Sequence, residues 1–355
     1  MTVPAYLANF SNPSLARKRA SYIREITVSN LEKHLKDFET NFTKKGGYVV
    51  WSPTFDDAQN EIIRLAEKFS LKKFNISAKA AEKLPHGLSG KLEALGLEII
   101  SKKNPLTEEK RILSISEASF LVGESGNVLL TDDALNYFAA GQVTILIADI
   151  NKVIPSGKDL SLFLDFFSSP SRPLPFQIVT GPLSPTQRLI VLLIDGGKTD
   201  LLSSPLKRQL VSCIDCMQCV SVCPINQTEQ AIQFPVQSII APHKTDGLHP
   251  VHSCTLCGNC TLACPVKIDL QTLLIVKRKD VFATESKKKH WIVKLFRFAM
   301  LKTNISTKTG GKLKKLLLRF LTKETWGKRG GLPDSTPRSF NQLWKVINNY
   351  STRKL

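Results

Sequence analysis

Residues 48–76 read YVVWSPTFDDAQNEIIRLAEKFSLKKFNI, and this stretch decides the fold of the first half of the chain. Tyr48-Val49-Val50-Trp51 is a short apolar strand. Thr54 is placed to N-cap the next helix, with Asp56 and Asp57 in the first turn, where the helix dipole favours acids. Ala58, Ile62, Leu65, Ala66 and Phe69 recur at helical spacing and make one apolar stripe. Lys73-Phe74-Asn75-Ile76 returns as a strand. Strand, helix and strand of this size form a βαβ unit, which predicts that the two strands are parallel.

The pattern extends in both directions. Upstream, Leu15–Lys45 predicts one long helix with Leu31, Leu35, Phe38 and Phe42 on its apolar face, ended by Gly46-Gly47. Downstream, Leu88–Leu95 predicts a helix and Leu97–Ile100 a strand. Phe120–Val122 and Val128–Leu130 flank Gly123-Glu124-Ser125-Gly126-Asn127, a turn by composition. Val143–Ile150 is apolar almost throughout, as a central strand is. Leu160–Phe167 predicts a helix, and Gln177–Val179 and Arg188–Ile194 complete the sheet. Residues 1–200 therefore read as one α/β domain, free of cysteine.

All eight cysteines come later, in two copies of C-x2-C-x2-C-x3-C-P. The first is Cys213, Cys216, Cys219 and Cys223 with Pro224; the second is Cys254, Cys257, Cys260 and Cys264 with Pro265. This is the bacterial ferredoxin run, whose thiolates hold [4Fe–4S] clusters and whose fourth Cys ligates the other cluster. Two clusters are expected: Cys213, Cys216, Cys219 and Cys264 on one, and Cys254, Cys257, Cys260 and Cys223 on the other. Structural zinc takes four ligands from two separated pairs, so a third Cys in each tight loop is one too many. A disulfide framework suits a short secreted chain. Residues 201–280 thus read as a helical two-cluster module. A short helix at Leu201–Leu210 leads in and another at Leu270–Val276 closes it, while Ile232, Phe234, Val236, Ile239 and Ile240 are available to pack near the clusters.

The formal charge of +19 is concentrated at one end. From Lys277 to Leu355 there are 21 Lys and Arg against four acids. Residues 281–355 form a basic tail with two amphipathic stretches, His290–Leu301 and Lys312–Leu321. Such helices dock on a partner, on their own domain, or on an anionic membrane; nucleic acid is not the expected target. No signal peptide or membrane-spanning run is recognised. With cysteines used as ligands, the expected location is the cytoplasm, with peripheral contact at the inner face of the membrane through the tail. The Gly123–Asn127 turn reads as a plain tight connection rather than an anion nest. His252, two residues before Cys254, is placed to tune a cluster but reads as an ordinary loop residue. Neither a Walker loop nor a dinucleotide fingerprint is present, and no catalytic residue can be named.

Much of the chain resembles the LutB-type lactate utilisation iron–sulfur proteins. The resemblance is carried by Phe38–Gly47, Leu92–Glu98, Ala118–Asn127, Ile150–Pro155 and Thr180–Pro182. Near the end, Trp326, Leu332-Pro333, Ser339-Phe340 and Leu343-Trp344 join it. Departures are a short join, Ser101–Ser119, in place of a longer helical stretch, Leu84-Pro85 in place of an acidic pair, and a reduced loop at Asp132–Gly141. This makes the chain a compact variant, closer in its first domain to the LutC type. The resemblance implies a LUD domain of the ribose-isomerase/CoA-transferase-like α/β class, followed by a dicluster ferredoxin module. It also implies a role in oxidising L-lactate to pyruvate beside a cysteine-rich LutA-type protein and a LutC-type LUD protein. Composition and spacing alone support an iron–sulfur electron carrier. The rivals are a LUD-type small-molecule binding or transfer enzyme with structural or regulatory clusters, and an iron–sulfur adaptor for membrane quinone reduction.

Overall fold

The computed structural model describes residues 4–85, 87–100, 111–131, 134, 142–168, 174–228, 235–240 and 250–285, with isolated positions 294, 297–298, 301 and 343–344. Two compact units divide the chain, Met1–Arg278 and Lys279–Leu355. The elements that position the cysteines lie in the first. Of the amphipathic tail stretches, His290–Leu301 is described only at four positions and Lys312–Leu321 lies outside the described residues, as do Ile232, Phe234 and Trp326.

The expected single N-terminal helix is two, α1 (Pro13–Ser29) and α2 (Leu31–Lys44). The break falls at Asn30, whose φ and ψ are −123° and 33°. Its side-chain amide donates to the Ile26 carbonyl at 3.1 Å, an acceptor its own backbone N–H also uses. Asn competes with helix continuation in this way, and turns the chain. Leu31, Leu35, Phe38 and Phe42 are buried on one face of α2. Gly46 N–H donates to Thr43 and Gly47 N–H to Phe42, with Gly46 at φ +88°, so the paired glycines do end the helix.

Six parallel strands form the main sheet. They are β1 (Tyr48–Ser52), β2 (Lys73–Ile76), β3 (Glu98–Ile99), β4 (Ile112–Glu117), and two strands that come later in the chain. After a hairpin of β5 (Phe120–Val122) and β6 (Asn127–Thr131), the chain adds β7 (Val143–Asp149) to the main sheet. It then makes β8 (Val153–Ile154) and β9 (Phe176–Val179), and returns with β10 (Arg188–Ile194). The main sheet runs β1-β10-β7-β4-β2-β3, and the smaller one β8-β5-β6-β9. β1 and β2 are parallel as the βαβ unit requires, but three strands lie between them.

Two expectations need correction. Phe120–Val122, Val128–Leu130 and Gln177–Val179 belong to a second, mixed sheet rather than the main one. And β4, central in the main sheet, falls in the stretch read as a mere connection.

The core has two faces. α3 (Phe55–Lys68), α4 (Ala78–Lys83) and α5 (Leu88–Ala94) cover one, burying Ile62, Leu65 and Leu92 against Ile145, Ile147, Leu192 and Ile194. α2 and the small sheet cover the other, with Phe38, Phe42, Leu121 and Leu130 against Leu146 and Ala148 of β7 and Leu189, Val191 and Leu193 of β10. Alternate residues of β10 thus serve opposite faces, which is why its sequence is apolar without a break after Arg188.

Candidate iron–sulfur site

Each cysteine loop is shaped by residues in the left-handed region. Asp215 and Met217 (φ 58° and 59°) bend the first, and Leu256 and Gly258 (φ 57° and 79°) bend the second at matching positions. The bends turn backbone donors back on sulfur. Asp215 N–H donates to Cys213 Sγ at 3.4 Å, and Leu256 N–H to Cys254 Sγ at 3.3 Å. Ile268 N–H likewise donates to Cys264 Sγ at 3.4 Å. Such bonds favour thiolate and tune a bound cluster. Short helices, Gln218–Ser221 and Asn259–Ala263, carry Cys219 and Cys260 and pack on each other.

The thiols fall into two neighbourhoods. Cys213 feels Cys216 and Cys219, and Cys216 and Cys219 both feel Cys264; Cys219 also feels Cys260, so the two neighbourhoods adjoin. Cys254 feels Cys223 and Cys257, and Cys260 feels Cys254, Cys257 and Cys223. Cys223, Cys254, Cys257 and Cys260 also line one pocket, together with Ile225 and Leu274. Burial pushes Cys216 up to about 12 and Cys260 up to about 11, so binding iron must displace their protons. Among the described residues, no three His, Cys, Asp or Glu side chains converge as ligands of a single ion. An all-sulfur donor set spread around a space suits a cluster, whose thiolates bind different irons.

The N-terminal segment clamps the backbone around the first site. Tyr6 Oη donates to the Ala263 carbonyl at 3.0 Å, and Arg17 Nη2 to the Cys264 carbonyl at 2.8 Å. Asn151 Nδ2 donates to the Cys213 carbonyl at 2.9 Å. An ion cluster sits at the C-terminal ends of β4 and β7. Lys83 reaches Glu117 and Asp149, each at 2.7 Å; Lys198 reaches Asp149 at 3.3 Å; and Lys152 reaches Asp215 at 2.6 Å. Burial pulls Lys152 down, but Asp215 and Glu117 outweigh it and leave Lys152 above its ordinary value. Burial likewise pushes Asp215 up, and Lys152 and Lys83 more than reverse it.

Sequence reasoning missed these supports. One signal was available: Asp215 stands where the second motif has Leu256, so a carboxylate occupies only one of two equivalent loops. Glu124 Oε1 accepts from Ser156 Oγ and Gly157 N–H, which makes it a turn brace. Gly126, at φ +64°, lies against the α2 backbone at Asn41 and Phe42. His252 lies in the turn Pro250–Ser253.

Residues 209–268 match the family described as 4Fe-4S dicluster domain. Lactate utilization protein B of Anoxybacillus flavithermus is 22% identical over 341 residues, covering 75% of this chain and 72% of that protein. Lactate utilization protein B of Bacillus cytotoxicus is 21% identical over 345 residues, covering 76% and 72%. A crystal structure of a DUF162 family protein from Deinococcus radiodurans aligns with 46% of this chain and 98% of that one, at 14% identity and a TM-score of 0.33. Three quarters of the chain is more than the cysteine segment and tail together could supply, so the likeness to the relatives reaches well into the α/β part. The chain is therefore similar, in both its α/β and cysteine parts, to proteins named lactate utilization protein B, with a 4Fe-4S dicluster domain match at residues 209–268.

Proposed function

We propose that this chain is an iron–sulfur electron-transfer subunit of a system that oxidises L-lactate to pyruvate. The observation that carries the reading is the pair of matching cysteine loops, each bent by left-handed residues that aim a backbone N–H at sulfur, within the stretch that matches a 4Fe-4S dicluster domain. Cys213, Cys216, Cys219 and Cys264 would hold one [4Fe–4S] cluster, and Cys254, Cys257, Cys260 and Cys223 the other. When bound, such clusters take up and release single electrons. The chain's own work is to bring the thiols together on two loops and to aim backbone N–H groups at the sulfurs of Cys213, Cys254 and Cys264. The lactate role rests on the relatives' names, and the proposed partners are a LutA-type cysteine-rich protein and a LutC-type LUD protein.

The test is anaerobic purification with iron analysis, followed by mixing with lactate and the two partners. About eight iron per chain, with bleaching of the cluster absorbance by lactate only when the partners are present, is the expected result. About four iron per chain, or no lactate-dependent reduction in the complete mixture, would overturn the reading.

A further inference from the structure

Helix α1 carries a cation on its buried face. Arg24 is 0% exposed and shares that face with Ala20, Ile23 and Thr27. Its guanidinium donates to four main-chain carbonyls: Asn151 at 2.7 Å, Val153 at 2.8 Å, Val211 at 3.0 Å and Ser212 at 3.1 Å. Val211 and Ser212 lead directly into Cys213. Among the described residues, no carboxylate forms an ion pair with Arg24. The ionisable groups that act on it are Cys213 and Asp215, and Asp215 is engaged by Lys152 at 2.6 Å. The neighbouring ion cluster is balanced, with Lys83, Lys152 and Lys198 against Glu117, Asp149 and Asp215. Arg24 is the charge left over.

A buried charge without an opposite charge is costly to hold. Arg cannot escape this cost by losing its proton, because burial lowers its pKa only to about 10. Carbonyl dipoles offset part of the cost. A set of thiolates beside Cys213 would supply the missing negative charge.

We propose that Arg24 is the built-in counter-charge of the first iron–sulfur site and raises the reduction potential of the cluster held there. The inference rests on reading the eight cysteines as ligands of two clusters. Reduction adds negative charge, so a fixed cation nearby stabilises the reduced form more than the oxidised one. The second loop has a partial counterpart: Arg278 Nη2 donates to the Val251 and Cys254 carbonyls at 2.9 and 2.7 Å. Arg278 is only half-buried, so solvent screens it more than Arg24. The two sites are thus electrostatically unequal.

The experiment compares full-length wild type, Arg24→Gln and Arg24→Lys, each purified anaerobically with its clusters. Iron content and both midpoint potentials are measured, the latter by redox titration followed by electron paramagnetic resonance. The expected result is about eight iron per chain in all three, one midpoint shifted negative in Arg24→Gln with the other unmoved, and Arg24→Lys close to wild type. Unmoved midpoints in Arg24→Gln at full iron content would overturn the proposal while leaving the two-cluster reading intact. So would an equal shift in Arg24→Lys, or equal loss of iron from both variants, since either outcome assigns Arg24 to hydrogen bonding rather than charge. Wild-type protein with about four iron per chain would overturn the two-cluster reading, and this proposal with it.

Discussion

Lys152 Nζ lies 2.6 Å from Asp215 Oδ2, joining the segment after β7 to the first cysteine loop. The lysine side chain is 4% exposed and the aspartate 42%. Removing the exposed member is the more damaging change, because it leaves the charge of the buried lysine uncompensated, whereas Lys152→Met leaves a carboxylate in contact with water. Asp215→Leu should cost about 3 kcal/mol, the lower end for a broken buried pair because Glu117 Oε1 remains 3.9 Å from Lys152 Nζ. Chemical denaturation measures it, and Lys152→Met with Asp215→Leu should recover part of the loss as a coupling energy.

Crossed ligation has a direct readout. Cys213→Ser and Cys264→Ser should remove or alter the same spectroscopic cluster, and Cys254→Ser and Cys223→Ser the other. If Cys223→Ser instead perturbs the cluster that Cys213→Ser perturbs, each motif binds its own cluster and the crossed assignment is wrong.

Tyr6→Phe keeps the ring that packs edge-on against Phe166 but deletes the bond to the Ala263 carbonyl. The expected cost is about 1 kcal/mol, with iron retained. Tyr6→Ala should cost about 3–5 kcal/mol by adding a cavity. Thermal melts of the two variants separate packing from hydrogen bonding.

Gly126→Ala tests the turn against α2. A Cβ there would collide with the backbone of Asn41 and Phe42, at a φ of +64°. A loss of at least about 2 kcal/mol is expected, against a change within about 0.5 kcal/mol for an exposed surface position. A variant as stable as wild type would show that the hairpin can move away from the helix.

The basic segment gives a prediction about partners. Protein lacking residues 281–355 should lose salt-sensitive binding to anionic vesicles if the tail contacts membrane. Retained binding to vesicles, or none in either form, would refute a membrane role.

What could be read in advance followed from repetition. The α2 stripe and the run of β10 repeat at the period of their element, and the cysteines repeat at ligand spacing. β4 was hidden because Ile112-Leu113-Ser114-Ile115-Ser116-Glu117 mixes serine with apolar residues, although Ser114 and Ser116 are fully buried. The helix break at Asn30 depended on one side chain competing for one carbonyl. Arg24 was invisible for a different reason: its partners are backbone carbonyls 127 to 188 residues away, which leave no trace in side-chain pattern.

The clamp from the N-terminal segment has a consequence for the order of events at the ribosome. Tyr6 and Arg17 hold carbonyls 257 and 247 residues further along. At roughly 5–20 residues per second, those acceptors are made on the order of ten seconds or more after the segment that grips them. Until then α1 waits with Arg24 lacking its acceptors at Val211 and Ser212. Docking of the Tyr6–Arg24 segment is therefore a late event, and residues made well before their acceptors are among the last to settle.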